Sequence, residues 1–199
     1  MQRHIGGVVG ESNFYYLIGD YFNINFSDVQ SEVGFSLEGS TVILTSLGSQ
    51  EGNEHPEFIH SVYRRLTRPD DLIISELQLL KTLNHFPVFE FSHLPLWRSV
   101  SESFRSRLFG EKSSEYGTVL VPLVFDKVGV VQCAVSTERF FEPLPNGADV
   151  LISNFCLKYT SAQLAAIRHV NGFDIVFSVK TGDEAVVFQL ITPGTDVKQ

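Results

Sequence analysis

The chain predicts an α+β domain with a central antiparallel sheet and flanking helices, and three observations support this. In Gly117 to Ser136, two runs rich in Val, Leu and Phe flank the short polar step Asp126-Lys127, with Gly129 just beyond, which is how two paired strands joined by a tight turn are written. A second hairpin pattern lies near the C-terminus, where Phe173 to Val179 and Ala185 to Ile191 flank Thr181-Gly182-Asp183. Between and before them, apolar residues recur at the three- and four-residue spacing of amphipathic helices. The expected organisation is a single domain over residues 1–199, with the segment 171–192 as an accessory hairpin.

The first of these runs is apolar almost without alternation from Val119 to Phe125, which predicts strands covered on both faces and therefore central in the sheet. Pro122 has no amide to give to a ladder, so a bulge or one unpaired side is expected there.

The remaining elements follow in chain order. Asn13 to Phe26, rich in Phe and Tyr, reads as two short strands broken near Gly19-Asp20. Phe35 to Glu38 alternates, Gly39-Ser40 turns and Thr41 to Leu47 is β-branched, which suggests another hairpin. His55-Pro56-Glu57 opens a helix whose Phe58, Ile59, Val62, Tyr63 and Leu66 form one stripe. Asp70 is expected to cap a second helix carrying Ile73, Leu77 and Leu80, packed across the sheet. Phe89 and Phe91 alternate with polar neighbours as in a short strand, and Ser99 to Phe109 reads as a half-exposed helix stopped by Gly110. Val150 to Tyr159 fits strand or helix. Thr160 and Gln163 make the T-x-x-Q of a capping box ahead of a final helix.

Composition narrows the function. At 43% hydrophobic and 19% charged the chain is that of a folded globular protein, and its net charge of −8 repels phosphate backbones, so nucleic acid is not an expected partner. No apolar run approaches the roughly 20 residues a bilayer-spanning helix requires, and no basic segment followed by an apolar core opens the sequence. A cytoplasmic protein without membrane partners is expected. Cys133 and Cys156 do not make a disulfide framework, and Cys133, inside the apolar run, reads as a packing residue.

Sequence motifs for chemistry are mostly missing: there is no G-x-S-x-G, G-x-G-x-x-G, P-loop, H-E-x-x-H or C-x-x-C. His55 and His60 stand five apart, off the spacing that puts two metal ligands on one helix face. Asp70-Asp71 reads as a helix cap rather than an acid–base pair, and Arg64, Arg65 and Arg68 as a solvated helix end. The aromatic stretch before the central hairpin stands out. Phe86, Phe89, Phe91, His93, Trp97 and Phe104 are the candidate ligand-binding residues, because small-molecule pockets are lined by such rings with a few polar groups added. No catalytic residue, metal site or cofactor is assigned, and the chain is expected not to be an enzyme.

Ser114-Glu115-Tyr116-Gly117-Thr118-Val119-Leu120-Val121-Pro122-Leu123, with Phe125-Asp126-Lys127-Val128-Gly129-Val130, resembles the last two strands of bacterial PAS-type sensory domains and also the matching hairpin of GAF domains. Asn13 to Gly19 is similar to an early strand of the PAS group, and Phe86-Pro87-Val88 to its helix-to-strand junction. The resemblance implies a PAS- or GAF-like sensory domain for signal transduction. Its sheet and helices would enclose a small molecule or present a face to a protein partner or a second copy. The alternative expectation is an acidic interaction module, of inhibitor or immunity type, steered by charge to a basic partner and without a ligand pocket.

Overall fold

A computed structural model describes residues 22–33, 38–48, 50–80, 94–110, 112, 114–144 and 146–194, except the side chains of 33, 96, 97 and 101. Of the two strands expected over Asn13 to Phe26, residues up to 21 lie outside the described ones, as does the strand expected at Phe89 to Phe91; residues 22–25 are turn and irregular chain and Phe26 opens a helix, so no strand forms there. In chain order the elements are α1 (Phe26–Val33), β1 (Ile43–Ser46), a 3₁₀ turn (Gln50–Asn53), α2 (Pro56–Leu66), β2 (Leu72–Gln78), α3 (Pro95–Phe109), β3 (Ser114–Phe125), β4 (Gly129–Phe140), β5 (Val150–Lys158), α4 (Ser161–Val170), β6 (Phe173–Lys180) and β7 (Val186–Pro193).

The strands form two sheets rather than the single antiparallel sheet expected. One is four-stranded in the order β1-β2-β7-β6, and the other three-stranded in the order β3-β4-β5. In the first, β1 and β2 are parallel, with Ile43 opposite Leu72, and α2 is the crossover between them. The C-terminal hairpin then adds antiparallel strands, and β7 rather than β6 lies against β2, with Ile73 opposite Ile191. A PAS- or GAF-like arrangement is not what this chain adopts.

β2 replaces the second expected helix. Ile73, Ser75 and Leu77 are buried while their neighbours are half-buried, the two-residue period of a strand. Ile73, Leu77 and Leu80 satisfy helical spacing as well, and the crossover geometry decides between the two readings. Asp71 does not cap a helix. It accepts from the backbone N–H of Arg68 at 2.8 Å and of Val42 at 2.8 Å and from Arg68 Nε at 3.0 Å, fastening the entries of β1 and β2. These bonds outweigh the cost of burial and hold its carboxyl below the usual aspartate range. The neighbouring cations are likewise engaged rather than solvated: Arg65 donates to Ile24 O at 2.7 Å, and Arg64 donates to Asn171 O and lies 5.6 Å from the Phe173 ring centre.

The Gly117–Ser136 ribbon does form a hairpin, turning at Asp126–Val128 with Lys127 at φ 66° and Gly129 at φ 89°. It is not shielded front and back. β3 is an edge strand, Val124 is 79% exposed, and Val119, Val121, Leu123 and Val130 are exposed as well. Pro122 pairs with Gln132 on what is an edge strand among the described residues, the place in a sheet where proline is tolerated. Val150 to Lys158 settles as strand β5. The capping box before α4 is present in both directions: Gln163 N donates to Thr160 Oγ1 at 3.2 Å and Thr160 N to Gln163 Oε1 at 3.0 Å.

The two sheets meet where β2 and β5 end. Leu79 bridges Tyr159, Leu80 N donates to Tyr159 O at 2.9 Å, and Leu79 N donates to Ala185 O at 2.8 Å. Around this junction Leu77, Leu79, Val131, Cys133, Val135, Leu157, Tyr159, Leu164, Ile167 and Val187 form one apolar cluster, so α4 packs against both sheets at once. Cys133 is buried in it, and burial raises its thiol pKa, as a packing residue requires. A second cluster of Ile59, Tyr63, Ile73, Phe173 and Ile191 seats α2 on the larger sheet. No described helix is long and apolar enough to cross a membrane.

Candidate functional site at the strand ends

β1 and β2 run parallel, so their carboxyl ends lie on the same side of the sheet, and the chain's convergent polar groups gather there. Leaving β1, the chain turns at Gly48 (φ 75°), whose N–H donates to Glu76 Oε2 at 3.0 Å on the neighbouring strand. The 3₁₀ turn that follows is pressed against β5. A Cβ on Gly52 would stand 2.7 Å from Cys156 Sγ and 3.0 Å from Leu157 O, so this approach is open only to glycine. From β5, the buried Lys158 reaches across to the end of β2, donating to Gln78 Oε1 and to Cys156 Sγ, the latter at 3.2 Å. Glu76, Gln78, Cys156 and Lys158 thus form one polar cluster at strand ends of two sheets, with Gly48 and Gly52 against it.

Next to these glycines lies a buried ionic cluster that fixes the 3₁₀ turn. Glu51 accepts from both terminal nitrogens of Arg168, from Tyr63 Oη at 3.0 Å and from Ser75 Oγ at 2.6 Å. Arg168 also donates through Nε to Gln189 Oε1 at 3.1 Å, through Nη2 to Ser75 Oγ at 2.9 Å and through Nη1 to His60 Nε2 at 2.9 Å. All five guanidinium N–H bonds therefore have an acceptor, in a place where any left over would be costly. Because Arg168 can only donate, His60 Nε2 must accept, which puts the imidazole proton on Nδ1, 2.6 Å from Pro56 O.

The titration of these groups follows from their surroundings. Burial opposes the charge on Glu51, but the Arg168 cation and the donors around it prevail and hold its carboxyl below the ordinary range. For His60, burial leads and Arg168 adds to it, against the pull of Glu51, so its pKa falls to about 4 and the ring is neutral at pH 7. Burial, with Glu51 nearby, pushes the Tyr63 and Tyr159 hydroxyls well above their ordinary value. Among the described residues no group of three or more His, Cys, Asp or Glu is placed to hold a metal ion.

Of the ligand-binding residues expected from sequence, Phe86, Phe89, Phe91 and His93 lie outside the described residues, as does the side chain of Trp97 on α3. Phe104, also on α3, is 51% exposed, in an outward stripe with Val100 and Leu108. The residues of the strand-end cluster carry no recognisable motif in the sequence. Lys158 and Arg168 did leave a trace, each being a cation set among apolar residues; Glu51, in a polar loop, left none.

No family model matches the chain, and neither does any curated protein. Among solved structures, it is similar to an S-adenosylmethionine-dependent methyltransferase from Clostridium acetobutylicum at 7% identity and TM-score 0.41, covering 89% of this chain and 64% of that one. It is similar to the CcbJ methyltransferase from Streptomyces caelestis at 9% identity and TM-score 0.44, with 97% and 69% covered. A third is the glycopeptide N-methyltransferase MtfA, at 12% identity and TM-score 0.36, with 88% and 60% covered. The chain thus spans less than two thirds of the length of the first and third of these enzymes. The sensory reading stood on a PAS- or GAF-like sheet that the topology replaces. The solved structures the chain is similar to are named as methyltransferases rather than sensors or interaction modules, and the expectations of a signal-transducing sensor, an acidic interaction module and a non-enzyme are not carried further.

Proposed function

We propose that the polar cluster at the strand ends marks the acceptor side of an S-adenosylmethionine-dependent methyl-transfer site. The observation that carries this reading is the parallel β1–α2–β2 unit, whose two exits converge with that of β5 on Glu76, Gln78, Cys156 and Lys158. Open α/β sheets bind ligands outside the carboxyl ends of their strands. Glycopeptide N-methyltransferase MtfA was determined with S-adenosylmethionine and with sinefungin, and that cofactor is brought to this chain as part of the proposal.

The residues suit the chemistry in two respects. Glu76 spends one oxygen on Gly48 N–H, and its carboxylate favours a cationic sulfonium or a hydroxyl donor nearby. Gln78, Cys156 and Lys158 offer several hydrogen-bonding groups on rigid strands, which is what orienting a methyl acceptor requires. Bound there, the cofactor supplies an electrophilic methyl group. The chain's own part is to hold the acceptor's lone pair in line with it, and the Glu51–Arg168 cluster keeps the 3₁₀ turn in place. Titration calorimetry with S-adenosylhomocysteine tests this: one site per chain is expected, weakened roughly tenfold by Glu76→Gln. Neither heat nor a rise in Tm on adding S-adenosylhomocysteine would sink the reading.

A further inference from the structure

We infer that the chain forms a closed dimer in which α3 of each copy lies across the open face of the other copy's four-stranded sheet. The strand register defines that face. Thr45, Ile74, Leu190 and Phe177 stand side by side in one cross-strand row, and Glu76, Phe188 and Val179 in the next. α2 and α4 both pack on the opposite face, against Ile73, Leu77, Val187 and Ile191. The face they leave is uncovered among the described residues: Ile43, Phe177, Val179 and Phe188 are exposed there, Phe177 to 60%. A sheet built on a parallel strand–helix–strand unit is ordinarily covered on both faces, by helices.

α3 supplies the matching surface. It turns Arg105 and Phe109 inward, to Glu138 and Phe140, and presents Val100, Phe104 and Leu108 to solvent at the i, i+4, i+8 spacing of one helix face. Charge fits the same pairing. The charged residues that the four strands place on the open face are Asp174 and Glu76, both acidic. α3 carries three arginines and one glutamate, with Arg107 beside its apolar stripe. The helix is therefore +2 in a chain of −8, which leaves −10 on the rest and draws the α3 of one copy to the body of another. Two sheets face to face would instead set these carboxylates against their own copies, and α3 against α3 would bury only three large apolar side chains a side. α3 on the sheet joins seven such side chains, each exposing on the order of 100 Å², and a reciprocal pair makes that contact twice. The total, on the order of 1,400 Å², is that of a specific interface. The dimer does not depend on the methyl-transfer reading.

Light scattering on the purified chain at about 100 μM is expected to show a dimer, and a monomer there overturns the proposal without recourse to any variant. Phe104→Glu on α3 and Phe177→Glu on β6 change exposed side chains, and each is expected to leave a folded monomer, with dissociation at least roughly tenfold easier. A dimer that survives either change overturns the proposal, because pairing through α3 alone or through the sheet alone would be sensitive to only one of them. The last arm mixes the two variants. In a mixed pair the intact helix of the Phe177→Glu copy meets the intact face of the Phe104→Glu copy, so one of the two contacts is whole, whereas neither variant alone retains any. Native mass spectrometry, with one variant labelled with heavy nitrogen, is expected to show this heterodimer at least roughly tenfold above either homodimer. A mixture as monomeric as its components overturns the proposal.

Discussion

Among the described residues one arginine–glutamate pair is fully buried and another is half-buried, and only the first is complete. Arg168 and Glu51, under the strand ends, have every guanidinium N–H satisfied, and Ser75, Tyr63, His60 and Gln189 close the shell. Arg105 on α3 and Glu138 on β4 are looser. Arg105 Nε lies 3.0 Å from Glu138 Oε2 but off the N–H direction, so this is a charge contact rather than a hydrogen bond, and Glu138 Oε1 and Thr118 Oγ1 are buried without partners. The first pair ties the turn after β1 to α2, β2, α4 and β7; the second joins a peripheral helix to the smaller sheet. Completeness of the polar shell thus follows the region where the proposed site lies, and half-satisfied charge is left at the margin.

The largest test of this contrast is to break each pair. Arg168→Met strands Glu51 and His60 in the interior and is expected to cost about 3–5 kcal/mol, while Glu138→Gln keeps the shape and is expected to cost about 1 kcal/mol or less. Urea unfolding of both variants reads the difference, and equal losses would break the comparison. Next comes acid. His60 has a folded pKa of about 4 against an ordinary 6.5, so the unfolded chain takes up the extra proton first as pH falls. Its share of stability is whole above about pH 6.5 and is lost as pH falls from there to about 4, a change on the order of 3 kcal/mol. His60→Gln should flatten that window in a urea-midpoint series across pH, and a wild-type stability constant between those limits would refute the neutral, accepting ring. The smallest effect concerns Gly52. Gly52→Ala meets Cys156 Sγ at 2.7 Å and is expected to cost about 1–3 kcal/mol, part of which the added change Cys156→Ala should recover. Additive losses in that double-mutant cycle would mean that the 3₁₀ turn and β5 do not touch.

What could be read from sequence was what neighbouring residues decide among themselves. The hairpin turns rest on Lys127, Gly129 and Thr181-Gly182-Asp183, the cap of α4 on Thr160 and Gln163, and the opening of α2 on Pro56, each within a few positions. β2 was misread because Ile73 and Leu77 fit both periods, and only the parallel partner β1 selects the strand. The valine-rich ribbon was misplaced because apolar composition does not say whether a strand is central or at an edge. The site was hidden for a like reason. Gly52 meets Cys156, and Gln78 meets Lys158, only after two sheets have docked, and no local pattern records that.

The Glu51–Arg168 contact joins residues 117 positions apart, and Gln189 supplies a further acceptor from β7. During synthesis, then, the carboxylate leaves the ribosome long before its cation, and the last acceptor follows twenty-odd residues later. The polar shell around Glu51 therefore cannot close until β7 has emerged, so long-range contacts of this kind favour late, cooperative acquisition of structure.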